Sequence, residues 1–85
     1  MTFLHYEFDL TQNNCVQVRL DKQANVILLN TSNFQKYKSG GRYSYYGGLA
    51  KRSPFNLSPP SSGRWHLVID RGGYGGTVRA SVNVI

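Results

Sequence analysis

The residues from Asn33 to Arg52, NFQKYKSGGRYSYYGGLAKR, bring three side-chain chemistries together at close spacing. Lys36, Lys38, Arg42, Lys51 and Arg52 are cations that draw in an anionic or polar partner. Tyr37, Tyr43, Tyr45 and Tyr46 offer stacking faces with a polar tip. Gly40, Gly41, Gly47 and Gly48 permit turns and close backbone approach. The stretch holds five of the ten basic residues and five of the eleven aromatics, more than a solvated charge run requires. No carboxylate side chain lies between Asp21 and Asp70 to cancel the charge. A loop of aromatics among basic residues can stack bases or sugars and hold phosphates. The plainer reading makes the tyrosines core or interface fillers and the charges a guard on a glycine-rich edge. The candidate binding residues are Lys36, Lys38, Arg42, Tyr45, Tyr46, Lys51 and Arg52.

Catalytic and metal chemistry find little support. His5 and His66 are far apart in sequence, and neither has a cysteine or carboxylate cluster beside it. Structural zinc takes four ligands and catalytic zinc three, so two histidines alone do not make a site. The four acids are scattered, and no base–acid pair is expected from them. Cys15 is the lone cysteine and reads as a small half-buried hydrophobe rather than an activated thiol. No catalytic residue, metal or cofactor is therefore expected, and the chain reads as non-enzymatic. Asp70-Arg71-Gly72-Gly73-Tyr74-Gly75-Gly76 contains GGxGG but neither phosphate-loop pattern, and a strand rather than a helix follows it. It reads as a hairpin loop with Tyr74 folded back and with Asp70 and Arg71 pinning the turn.

The elements that would position these groups are mostly strands. Val16, Val18 and Leu20 alternate with Gln17 and Arg19; Trp65, Leu67 and Ile69 alternate with His66 and Val68; Val78, Ala80, Val82 and Val84 alternate with polar residues. Each pattern predicts a strand with one face on a core and one in water. Leu4, Tyr6 and Phe8 place a first strand over residues 2–9. Asn25 to Asn30 is a continuous apolar run and predicts a central strand buried on both faces. Residues 55–57 and 43–46 are short strand candidates. In the latter, Tyr43 and Tyr45 share one face and Ser44 and Tyr46 the other. Breaks fall at Asn13-Asn14, 21–24, Ser39-Gly40-Gly41, Gly47-Gly48, 58–63 and 72–76. Thr31-Ser32-Asn33 is a cap for one helical turn through Tyr37, ending at Ser39-Gly40. These elements predict an all-β fold: one compact antiparallel β-sandwich of seven or eight short strands, with at most one short helix near residues 32–38.

The totals bound the rest. Eighty-five residues make a single domain over 1–85, burying roughly 60–65% of its unfolded surface in a thin core. The net charge of +6 favours nucleic acid, phosphate-rich or acidic protein partners. A single cysteine excludes a disulfide-stapled secreted domain. The start, MTFLHYEFDL, lacks the basic and apolar regions of a signal peptide, and no apolar run approaches the roughly 20 residues of a membrane span. A cytoplasmic protein without a membrane role is the expectation.

Five segments in order resemble a known family: Thr31-Ser32-Asn33-Phe34, Tyr37-Lys38-Ser39-Gly40, Tyr45-Tyr46-Gly47-Gly48, Ser62-Gly63-Arg64-Trp65, and the run from Val68 to Ala80. They are similar to a small bacterial domain, domain of unknown function 1883, and the resemblance covers nearly the whole chain. It implies a compact β-sandwich that occurs alone or joined to a Toll/interleukin-1 receptor (TIR) domain, and so an association with immune or stress signalling. It implies no catalytic residues.

Three uses of the Tyr/Gly/basic face follow. The first is a protein partner or self-association. The second is nucleic acid or another polyanion, whose binding weakens steeply with salt. The third is carbohydrate, with Tyr45, Tyr46, Tyr74 or Trp65 as platforms. The basic excess ranks the second above the third, since neutral sugars need no charge.

Overall fold

The computed structural model describes residues 3–71 and 78–85. Among these are seven strands: β1 (Phe3–Leu10), β2 (Val16–Leu20), β3 (Ala24–Asn30), β4 (Tyr46–Ala50), β5 (Phe55–Leu57), β6 (Gly63–Asp70) and β7 (Ala80–Val84). One helix, α1 (Thr31–Ser39), lies between β3 and β4. The strands form two antiparallel sheets, one ordered β1-β6-β3-β4 and one ordered β5-β2-β7. The fold is the all-β sandwich that the alternation predicts. The glycine-rich segment 72–76, with Tyr74, lies outside the described residues.

The sandwich core follows from period two. Leu4, Tyr6 and Phe8 of β1, Val26 and Leu28 of β3, and Trp65, Leu67 and Ile69 of β6 face the three-stranded sheet. Val16, Val18, Leu57 and the partly buried Ala80 and Val82 meet them from that sheet. Trp65 is 5% exposed, and its indole Nε1 donates to the Ser61 carbonyl at 3.0 Å. It sits in the core as its shared face with Leu67 and Ile69 requires.

β6 departs from the expectation of a wet outer face. His66, Val68 and Asp70 are all buried. The cause is α1, which lies across the outer face of the four-stranded sheet and seals Ile27, Leu29 and Val68 beneath Phe34. The helix is longer than the single turn expected, and its cap is one residue earlier. Asn30 Oδ1 accepts from the Asn33 amide at 2.9 Å, which satisfies one orphan N–H of the first turn. Gly40 ends the helix in the left-handed region at φ 81°, while the Gly41 amide reaches back to the Lys36 carbonyl. Lys36 and Lys38 in the last turn complement the helix dipole.

Two further expectations are corrected. Residues 43–45 are not a strand, and Gly47-Gly48 is not a turn but the interior of β4. Gly47 is there because nothing else fits. Its φ is 115°, and a Cβ would stand 2.3 Å from the Val26 carbonyl oxygen and 3.2 Å from Leu57 Cδ2. The last strand begins at Ala80 rather than Val78.

Candidate functional site

Antiparallel pairing of β1 with β6 puts Glu7 opposite His66 and His5 opposite Val68. His5 and Glu7 are two apart on one strand, so they share the outer face with His66. The start of α1 closes the third side. The result is a groove of about 410 Å³ whose walls include His5, Glu7, Thr31, Phe34, Lys38, Arg64 and His66.

Its centre is a hydrogen-bonded chain. His5 Nε2 and His66 Nδ1 are 2.9 Å apart, and His66 Nε2 is 3.0 Å from Thr31 Oγ1. The two imidazoles lie within 14° of parallel with centroids 5.1 Å apart, so they meet edge to edge in nearly one plane. Phe34 stacks on both, at 4.1 Å from His5 and 4.5 Å from His66. Lys38 Nζ sits 4.8 Å from the Phe34 centroid, within cation–π range. Glu7 Oε1 is 3.8 Å from His66 Nδ1, while Glu7 Oε2 accepts from Arg64 at 2.7 Å. Arg64 also reaches Asp9 at 3.3 Å. Burial pushes His66 below the usual imidazole range; Glu7 opposes that shift, and His5, Arg64 and Lys38 reinforce it. An N–H···N bond admits one proton between the two rings, so the pair cannot hold two facing N–H groups.

A second polar node ties the helix to the sheet. Asp70 accepts from Asn25 Nδ2 at 3.0 Å and from the Tyr37 hydroxyl at 2.8 Å. Burial and the Asp70 carboxylate hold the Tyr37 hydroxyl protonated far above the usual tyrosine range. Tyr43 is shifted the same way, by burial first and then by Asp70 and Tyr45.

From that node a ladder of rings leads to the surface. Tyr37 meets Tyr43 edge-on at 5.2 Å, and Tyr43 meets Tyr45 at 5.7 Å. Residues 41–45 run back beside α1, held by the Ser44 amide on Asn33 Oδ1 at 3.0 Å. Tyr43 (37%), Tyr45 (47%), Tyr46 (49%) and Leu49 (48%) are four of the six large hydrophobics exposed among the described residues. They adjoin β4, the outermost strand on one side of its sheet.

The family model described as "Domain of unknown function (DUF1883)" matches residues 1–85. The chain belongs to that family. No curated protein and no solved structure matches it.

Within this DUF1883 domain, the residues singled out from sequence fall in several places. Tyr45 is exposed on the tyrosine strip. Tyr46 opens β4 and meets the edge of Trp65 at 6.0 Å. Lys38 lines the histidine groove. Lys51 and Arg52 line a different cleft, with Leu20, Asp21, Lys22 and Gln23. Lys36 is exposed in the last turn of α1, and Arg42 is exposed just after it. Trp65 is buried and presents no sugar platform.

Of the acids read as scattered, Glu7 is brought beside His66 across the β1–β6 ladder. A signal was present in the sequence. His5 and Glu7 at spacing two on an alternating strand must share a face. What sequence could not supply was that β6 pairs with β1 in the register that brings His66 to them.

Proposed function

We propose that this domain is a non-enzymatic interaction module that recognises a protein partner through the tyrosine strip and the adjoining edge of β4. The observation that supports this reading is the exposure of Tyr43, Tyr45 and Leu49 along and just before β4, a strand paired on one side by β3, with Tyr46 exposed on the opposite face beside Trp65. Tyrosine is enriched in the cores of protein interfaces, where it adds large contact area with few rotatable bonds. An outermost strand offers backbone donors and acceptors that a partner's extended segment can pair with. Self-association is the same chemistry with a second copy as the partner. A sensor or regulatory role beside a bacterial TIR domain, in the cytoplasm, fits such a module and rests on the family resemblance.

The test is sedimentation velocity over a range of concentrations, together with affinity capture. Both use the original chain and a Tyr45→Ser/Leu49→Ser variant. The reading expects self-association or a captured partner that the variant loses. It fails if the original chain stays monomeric and captures nothing, or if the variant behaves identically.

The net charge of +6 supports a second reading, in which basic clefts bind nucleic acid or another polyanion. Lys51, Arg52 and Lys22 share one such cleft. Titration with single-stranded nucleic acid and a second polyanion at low and moderate salt tests it. Binding should weaken as salt rises, and Lys51→Glu/Arg52→Glu should abolish it. No binding of either polymer at low salt ends that reading.

A further inference from the structure

We propose that His5, Glu7 and His66 form a binding site for a divalent transition-metal ion of the zinc class, at the floor of the groove between β1, β6 and α1. Their ligand atoms all lie within 4.8 Å of one another. Three features make this more than proximity.

The first is where the lone pairs point. His5 Nε2 and His66 Nδ1 face each other at 2.9 Å in nearly coplanar rings. Without a metal, a proton must occupy the gap between them. A metal ion would displace that proton. Two nitrogens on one tetrahedral zinc, at bonds of about 2.0–2.1 Å, stand about 3.3 Å apart. The rings therefore need to part by about 0.4 Å and to swing within their common plane, so that both lone pairs converge on the ion instead of facing each other. His5 is exposed on β1, an outermost strand, and has room to make that movement.

The second is the support behind each ligand. Thr31 Oγ1 engages His66 Nε2, which leaves Nδ1 as the ligand atom. Arg64 holds Glu7 through Oε2, which leaves Oε1 turned to His66. Phe34 packs on both rings and fixes their planes. Outer groups that orient the ligands in this way are a regular part of metal sites. The ligands also stand on paired strands, which hold position better than loops.

The third is the donor set. Two imidazoles and one carboxylate suit zinc, cobalt or nickel rather than calcium or magnesium. Three protein ligands leave a position open to the groove, where water completes the shell. Lys38 and Arg64 oppose a dication from the groove walls. The expected affinity is accordingly well short of the tightest structural zinc sites.

The test uses the full chain, stripped with chelator and titrated with Zn(II) by calorimetry and with Co(II) by visible absorption. The original chain should bind a single equivalent near neutral pH and release it on acidification, as protons compete with the metal for the ligands. His5→Ala and Glu7→Gln alter exposed side chains, so they leave the core intact. Each should weaken binding by about tenfold or more. Cys15→Ser, remote from the groove, should bind as the original does. Nitrogen NMR of the imidazoles should move His5 Nε2 and His66 Nδ1 on adding Zn(II). The proposal is overturned if the original chain takes up no metal, or if His5→Ala and Glu7→Gln bind as tightly as it does.

Discussion

The two faces of the four-stranded sheet are made by the same strands in strict alternation, yet they are built differently. The inner face is wholly apolar where it meets the second sheet, with Val26, Leu28, Leu67 and Ile69 fully sealed. The outer face carries Ile27, Leu29 and Val68 at its centre but His5, Glu7, His66 and Asp70 around them. A second sheet covers its neighbour broadly and buries the apolar side chains between them. A nine-residue helix covers a strip and leaves margins where polar groups can hydrogen-bond and still reach solvent. The inner face thus carries stability, and the outer face with its tyrosine margin holds the groups on which the proposed ligand and partner sites are built.

The comparison can be broken by mutation, beginning on the inner face. Trp65→Ala should cost about 3–5 kcal/mol, the usual range for a buried large aromatic. A loss under about 1 kcal/mol in denaturant melts would mean that the inner face does not carry the fold. Gly47→Ala should cost about 1–3 kcal/mol from backbone strain alone, before the clash with the Val26 carbonyl is counted. Gly48→Ala meets no neighbouring atom and should cost less, although its φ is also positive.

The outer face should respond to pH where the inner face does not. His66 titrates below its unfolded value, so the unfolded chain takes up a proton first. Stability present at neutral pH should therefore fall as pH drops below about 6.5. Tyr37 shows the opposite case. Its hydroxyl stays protonated in the fold while the unfolded chain ionises near pH 10, so its contribution is full below about pH 10 and lost above it. Tyr37→Phe should flatten the alkaline limb of a plot of denaturation midpoint against pH. An unchanged limb would separate Tyr37 from that behaviour. The smallest effect belongs to the groove rim. Arg64 and Glu7 are both well exposed, and Glu7→Gln should alter stability by less than about 1 kcal/mol.

The inner face was legible in the sequence because alternation on a half-buried strand leaves one dominant pattern. Val16 with Val18, and Trp65 with Leu67 and Ile69, could face nowhere but a core. The outer face was harder to read for a physical reason. Its cover is a short helix with a polar composition, so the segment from Thr31 to Ser39 carried weak periodicity and read as a single turn. That in turn left His66 and Asp70 assigned to water. The tyrosines were recognised by type, but their arrangement was not. Tyr43 and Tyr45 come together as a ring ladder on irregular backbone, held by Asn33, rather than by the pleat of a strand. The histidine cluster depended on a long-range register that no local pattern encodes.

The division of labour between the two faces is tested most directly by one paired experiment on Tyr45→Ser/Leu49→Ser. Denaturant unfolding and association are measured on the same preparation of the variant and of the original chain. Exposed side chains such as these should shift stability by less than about 1 kcal/mol for the pair. The account predicts self-association or partner capture by the original chain, and near-original stability with loss of that association in the variant. A variant that is equally stable and associates as the original does would contradict it, and so would one whose loss of association merely follows a loss of fold.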